Sequence, residues 1–458
     1  MTYDIVYARN LRSASTGAAL TATSVEYEGF VKRLSGERVL VQFTHDFHEK
    51  FGQEVLADVR FSYQRRPYRL LHQAIDLVDL NRVCPSEAAP TNEAGRAAAQ
   101  RRHASAEAGI NSFDPSLNDG QRAAVRAAYA LANGSSPFLV FGPFGSGKTR
   151  VCSAILRLFA ANAAATVLVC CPSNSAADVY INFLAKACES ISLSPKSILR
   201  IYAAYRRRES VPPHVLPFCH VSADGTFESP PLSVVTAARI VVTTFITAAT
   251  LVGLGVPKDH FKVILLDEAA QANEVEALVP MSLAGPSSQV ILAGDAKQLG
   301  GTVLSAESRR FGMGSSIMER LSSLPIYASS SAILSSHLTA NFRCHSAILD
   351  CASHVFYSGQ LRACGDVSSL SLSQWRRLHN AAYPVCCIHV EGQDQLAPDS
   401  PSFYNMYEAS TIAALVAELV EDSGCAQGEI AVLAPFSKQI ETIRLLLRSR
   451  KLSGVKVR

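Results

Sequence analysis

The segment Gly142-Pro-Phe-Gly-Ser-Gly147-Lys148-Thr149 constrains the fold more tightly than any other stretch of this chain. It has the spacing G-x-x-x-x-G-K-T, follows the apolar run 138–141 and opens a helix-like segment that continues to residue 159. A glycine-rich turn between a strand and a helix lets successive backbone N–H groups wrap phosphate oxygens, and the helix N-terminus adds its dipole. In this reading Gly142, Gly145, Ser146 and Gly147 cradle the phosphates. Lys148 reaches the β- and γ-phosphates, and the Thr149 hydroxyl ligates Mg²⁺. The strand–turn–helix context separates this motif from a chance glycine-rich turn.

Further apolar runs at 166–171, 240–244, 263–266 and 289–293 are each followed by polar residues and a helical stretch. Buried runs bounded in this way predict a parallel sheet with helices on both faces. The alternation begins after Asn118, is interrupted by an insertion at about 190–236 and resumes in a second unit. That unit reads as a strand at 385–390, a helix at 406–421, a strand at 430–433, a helix at 438–450 and the start of a strand at 455–458. Upstream, short β-branched and aromatic runs between 25 and 79 predict a small β-barrel. Residues 80–115, rich in Ala, Arg, Glu and Ser, read as a linker or exposed helix, and 1–24 as an N-terminal extension.

The phosphate turn needs an acidic partner at another strand end, and Val263-Ile-Leu-Leu-Asp267-Glu268 supplies it. Asp267 is the candidate metal ligand, and Glu268 the group that orients or deprotonates the attacking water. In Ala293-Gly-Asp-Ala-Lys-Gln298 the turn after a strand lets Gln298 reach back toward the γ-phosphate. Gln121, after Asn118-Asp-Gly, reads either as an amide for an adenine edge or as a surface residue of a helix start. Arg343, in Asn341-Phe342-Arg343, is positioned as an arginine finger or else is solvated at a helix start.

Composition excludes some classes. Apolar residues are 48% and charged residues 18% of the 458, which excludes a disordered polyelectrolyte. A formal charge of +4 excludes no partner. The 12 cysteines are scattered without a C-x-x-C, as in a reducing compartment. Cys344, His345, Cys351 and His354 match no usual zinc spacing, so no structural zinc is expected. The first residues carry no apolar h-region, and the uncharged stretch 240–257 is too short and polar for a membrane span. A soluble intracellular protein is expected.

The ordered set Gln121, G-P-F-G-S-G-K-T, C-P-S-N-S-A-A-D, V-V-T-T, L-L-D-E-A-A-Q-A, L-A-G-D-A-K-Q-L, N-F-R-C-H and V-L-A-P-F-S-K-Q resembles the superfamily 1B RNA helicases of the upframeshift type. It is most similar to their Armitage and helicase-with-zinc-finger branch. The resemblance implies an α/β protein of two P-loop RecA-like parallel sheets, one complete (116–325) and one partial (326–458), preceded by the β-barrel. It implies ATP and Mg²⁺ as cofactors, with Gln121 and Phe342 holding the adenine. Pro172, Ser173, Asn174, Thr243 and Thr244 then line the path of single-stranded RNA, although all five also read as strand-end turn residues. Basic stretches at 60–69 and 205–208 read as phosphate contacts or as solvated faces.

The implied activity is an ATP-dependent helicase or translocase, 5′-to-3′, in RNA silencing, decay or antiviral regulation. Ribonucleoprotein factors are the implied partners, and the cytoplasm or its granules, or the nucleus, the implied setting. A nucleotide-gated RNA clamp and a DNA helicase of the same superfamily are the alternatives. The family's last two motifs do not appear before Arg458, so this chain reads as truncated and is expected to turn over ATP weakly by itself.

Overall fold

In the computed structural model the apolar runs become strands of two units, residues 1–66 with 368–458 and residues 67–367. The structure describes all residues except 1–4, 15, 22–24, 36–37, 44, 52–54, 63–64, 86–92, 133, 135, 192, 205, 207, 223–224, 226, 304, 330, 366–374, 381–382, 399 and 401.

The first unit opens with four antiparallel strands, β1 (Ile5–Ser13), β2 (Glu26–Ser35), β3 (Arg38–Phe43) and β4 (Val55–Ser62). Their order is β3-β2-β1-β4, and the sheet curls into a half-barrel. Tyr27, Phe43, Phe47 and Phe51 gather their rings at one end of it. The strand β1 lies inside the sheet, with Ile5, Val6, Ala8 and Leu11 buried, although the sequence reads residues 1–24 as an extension. A register shift between Arg9 and Arg12, with Asn10 at φ 52°, breaks its period-two pattern and hides it.

The second unit is built on seven parallel strands. They are β5 (Phe138–Phe141), β6 (Val167–Cys171), β7 (Ile198–Arg200), β8 (Ile240–Thr244), β9 (Val263–Leu266), β10 (Gln289–Gly294) and β11 (Ser335–His337). The order is β11-β5-β10-β9-β6-β8-β7. Strands β6, β9 and β10 are buried throughout, which is why they read as unbroken apolar runs and not as alternating ones. Helices Asp119–Ala130, Lys148–Ala161 and Asn174–Ala187 turn Val125, Ile155 and Ile181 into the same core. Helix Glu93–Phe113, part of the stretch read as a linker or exposed helix, buries Ala106 and Ile110 there.

Two edge strands differ from the sequence reading. β7 lies within the stretch read as an insertion, and β11 within the stretch read as the second motor domain. Ile198-Leu-Arg200 and Ser335-Ser-His337 are short and carry polar residues, so only their pairing with β8 and β5 reveals them. A parallel pair, β12 (Ala340–Asn341) and β13 (Arg362–Ala363), follows.

The rest of the first unit holds the hairpin β14 (Gln395–Leu396) and β15 (Phe403–Tyr404), helices Met406–Glu421 and Ser437–Ser449, and the parallel pair β16 (Ala431–Val432) and β17 (Lys456–Val457). Ala409, Ala413, Val416, Val432, Ile443 and Leu447 form its core. Residues 385–390, read as a strand, are largely exposed and form no strand among the described residues. Their β-propensity has no neighbouring strand to express it. His345 caps helix Ser346–Phe356 through Nδ1, and Cys351 and His354 lie on that helix. Among the described residues no helix is long and apolar enough to cross a membrane.

Arg82 ties the segment before the sheet to the turn before β10. Its buried guanidinium donates to Ser288 C=O at 2.8 Å and Gly285 C=O at 2.5 Å, and burial lowers its pKa. Arg82→Met keeps the aliphatic stem and removes the guanidinium from both carbonyls, which keep the N–H groups of Gly134 and Ser288 as donors. We expect a loss of about 2–3 kcal/mol, read as a lower urea midpoint at unchanged slope.

Candidate nucleotide and nucleic-acid site

The carboxyl ends of β5, β9 and β10 bring the phosphate turn and both acidic motifs together. Gly142 N–H donates to Gly294 C=O at 3.0 Å, which joins the end of β5 to the end of β10. Gly145 and Gly147 have φ of +70° and +79°, in the left-handed region. A Cβ on Gly145 would lie 2.7 Å from Asn341 Nδ2, and one on Gly147 2.5 Å from Gln121 Nε2. Space and backbone conformation therefore both demand glycine at these two positions. The turn is held from inside by Ser146, whose N–H and Oγ both donate to Pro143 C=O. Gly147 caps helix Lys148–Ala161 without a side-chain bond, so its first N–H groups are open to an anion.

Lys148 is buried, and its Nζ forms an ion pair with Glu268 Oε1 at 2.8 Å. Asp267 is 2% exposed; its Oδ2 accepts the Tyr180 hydroxyl at 2.6 Å and its Oδ1 the Glu268 N–H at 2.9 Å. Burial pushes the Asp267 carboxyl up, against the pull of Lys148 and these hydrogen bonds. Glu268 adopts φ 55°, a strained setting for a residue with a side chain, and its Oε2 accepts Gln271 Nε2. Thr149, half-buried, is the first residue of the helix after Lys148.

Gln298 Nε2 donates to Asp295 Oδ2 at 2.6 Å, within its own turn. The same oxygen accepts the Tyr357 hydroxyl at 2.7 Å, and burial, helped by that bond, raises the phenol's pKa. Asn341 clamps the N-F-R segment onto the turn. Its Nδ2 donates to Phe144 C=O at 2.7 Å, while its Oδ1 accepts the N–H groups of Arg343 and Cys344. Phe342 N–H donates to Gly145 C=O, leaving the Phe342 ring 45% exposed and Arg343 exposed beside the turn. Gln121 closes a capping box with Asn118 and donates to Ser146 C=O at 3.0 Å. It lines a cleft of about 410 Å³ with Ser146, Thr339, Phe342 and Arg362.

A second cleft, of about 380 Å³, opens at the ends of β6 and β8 and is lined by Pro172, Ser173, Asn174 and Thr244. Ser173 Oγ caps helix Asn174–Ala187. Asn174 Oδ1 accepts from Arg200, whose buried guanidinium bonds Asp178 at 2.9 Å and stacks on Tyr202. Thr243 belongs elsewhere. It is fully buried, with its hydroxyl donated to Ile201 C=O at 3.0 Å, so the reading of Thr243 as an RNA contact does not fit this geometry. Adjacent strand residues point to opposite faces, and only Thr244 meets the cleft. Of the two basic stretches, residues 63–64, 205 and 207 lie outside the described residues. Sequence reasoning missed Tyr180, Tyr357 and Arg200, each of which acts on a residue distant in sequence; Asn341 was visible only as part of its motif.

Two family models, each described as an AAA domain, match this chain, one over residues 116–226 and 226–306 and the other over 313–458. The chain is similar to putative helicase mov-10-B.1 of Danio rerio, at 31% identity over 94% of this chain and 43% of that protein. It is 34% identical to RNA helicase Mov10l1 of Homo sapiens, over 75% of this chain and 29% of that protein. It is 30% identical to the probable helicase with zinc finger domain of Homo sapiens, over 94% of this chain and 22% of that protein. The chain spans less than half the length of these relatives.

Asp267 makes the stability of the fold depend on pH. Its raised pKa means that the folded state keeps the proton longer than the unfolded one, so stability falls as pH rises through that window. Asp267→Asn, which carries no charge, should raise the thermal midpoint at neutral pH without nucleotide. The gain should shrink as pH falls toward the ordinary aspartate pKa and vanish below about pH 3, where both states hold the proton. A variant less stable than the native chain at neutral pH would contradict the sign.

Proposed function

The chain belongs to the upframeshift-like superfamily 1 RNA helicases, with MOV-10 and helicase with zinc finger among its relatives, and on that premise we propose that it is the ATP-driven core of a motor on single-stranded RNA. The observation that carries the reading is the Lys148–Glu268 ion pair beside buried Asp267, at the mouth of a turn whose two left-handed glycines leave room for phosphate. A buried ammonium held by a single carboxylate is suited to exchange that partner for a phosphate oxygen. When the γ-phosphate takes Lys148, Glu268 is released to orient water and accept its proton.

The donor set also fits Mg²⁺, a hard cation that takes oxygen ligands. Thr149 and Asp267 would hold it, and when bound it neutralises the charge on the β- and γ-phosphate oxygens. Gln298 carries the state of the phosphate site to Asp295 and Tyr357. Arg343 supplies positive charge beside the turn, Asn341 holding it there. Phe342 stacks on the base, and Gln121 borders the same cleft with an amide that meets the adenine edge.

RNA runs over Pro172, Ser173, Asn174 and Thr244, at the strand ends where ligands of open α/β sheets bind. Movement is 5′-to-3′. The work belongs to RNA silencing, decay or antiviral regulation, in cytoplasmic particles with other ribonucleoprotein factors. The family resemblance supports these last readings.

Nucleotide binding followed by fluorescence and RNA-stimulated ATP turnover test the assignment together. Lys148→Ala should lose nucleotide affinity. Glu268→Gln should bind ATP normally and lose turnover by about 10²–10⁴-fold. Arg343→Ala should slow hydrolysis by about 10³-fold or more with binding retained. Normal hydrolysis by Glu268→Gln would remove it from the general-base role. Duplexes with RNA or DNA tails on either end report substrate and direction.

A further inference from the structure

The cleft at the ends of β6 and β8 holds a carboxylate that a path for a polyanion does not obviously need. Glu276, in the first turn of helix Glu274–Met281, lines it together with Asn174, Arg206, Thr244 and Thr247. Its Oε2 accepts the Asn273 N–H at 3.3 Å, closing the helix start. Its Oε1 has no hydrogen-bond or ion-pair partner among the described residues. Burial raises its pKa, so its charged form is short of favourable contacts.

An unmet carboxylate beside phosphates is repulsive unless the ligand brings it a donor. The phosphodiester backbone itself offers acceptors only. Ribose adds one donor that deoxyribose lacks, the 2′-hydroxyl. The cation needed nearby is present, because the Arg206 guanidinium stands 4.9 Å over the Tyr202 ring with its Nε buried and unpartnered. Ser173, Asn174 and Thr244 are neutral and can serve either sugar.

We infer that Glu276 is the residue with which this cleft tells RNA from DNA, its free carboxylate oxygen accepting the ribose 2′-hydroxyl while Arg206 meets the neighbouring phosphate. The inference rests on the RNA path proposed above. It adds a specificity-determining group that no motif of the chain pointed to; the structure otherwise shows Glu276 as the closing residue of a helix capping box.

Equilibrium binding of the full chain to oligo(U), oligo(dU) and 2′-O-methyl oligo(U) of one length, at one salt concentration, isolates the hydroxyl. The native chain should prefer oligo(U) by about tenfold or more, the worth of a charge-assisted hydrogen bond, and should bind the 2′-O-methyl strand as weakly as oligo(dU). Glu276→Gln keeps the helix cap, because Gln serves equally at that position. It should bind oligo(U) about 5–10-fold more weakly and oligo(dU) as well as before or better. A preference that survives Glu276→Gln overturns the inference. So does equal tightening toward both sugars, which marks plain repulsion, or tight binding of the 2′-O-methyl strand. In each of those cases the RNA path itself stands. A native chain that binds none of the three strands overturns the path as well.

Discussion

A positive charge buried at the edge of a parallel sheet organises this molecule. Lys148 is almost inaccessible, and such an ammonium is tolerated only where carboxylates face it. Glu268 meets it directly and Asp267 lies within reach of its field, both carried by the end of β9. Bringing β9 opposite the turn after β5 requires β10 between them, and the strand order provides it. The left-handed backbone of Glu268 and the costly burial of Asp267 are local penalties offset by that pairing. A site assembled this way has its charges matched to each other, and on the proposed function a phosphate oxygen takes the place of Glu268 on Lys148.

Around that pair, polar clamps hold side chains that would otherwise wander. Asn341 makes three bonds that fasten the N-F-R segment to the phosphate turn. Tyr180 and Tyr357 each spend a hydroxyl on one acidic residue of the strand ends. Arg200 does the same for the second cleft, joining Asp178, Tyr202 and Asn174 inside the core. These are supporting residues of the kind that pre-orient a site, and apart from Asn341, which its motif carries, none of them is recognisable as functional from its own neighbours in sequence.

Much of the architecture was legible because buried parallel strands must be apolar on both faces. The runs that became β5, β6, β8, β9 and β10 were read to within a residue of their observed ends. The edge strands β7 and β11 were not, since an edge has one partner and tolerates Arg200 or Ser335-Ser336. β1 was hidden by its bulge, and residues 385–390 show the reverse error, a strand-like composition without a partner strand. Thr243 and Thr244 make the same point inside one motif: neighbours in sequence, they face the core and the cleft respectively.

The sequence by itself determined the chemistry of the nucleotide site, because phosphate binding demands glycine, lysine, hydroxyl and carboxylate at spacings that strand ends and turns impose locally. Tertiary structure alone decided what those groups do to one another. Only folding brings Glu268 onto Lys148, Asn341 onto Phe144 and Tyr180 onto Asp267, across gaps of 87 residues and more. It also left Glu276 lining a cleft at the ends of β6 and β8. The physical reason is the same in each case: hydrogen bonds and ion pairs depend on distance in space, and the order of residues along the chain does not encode that distance.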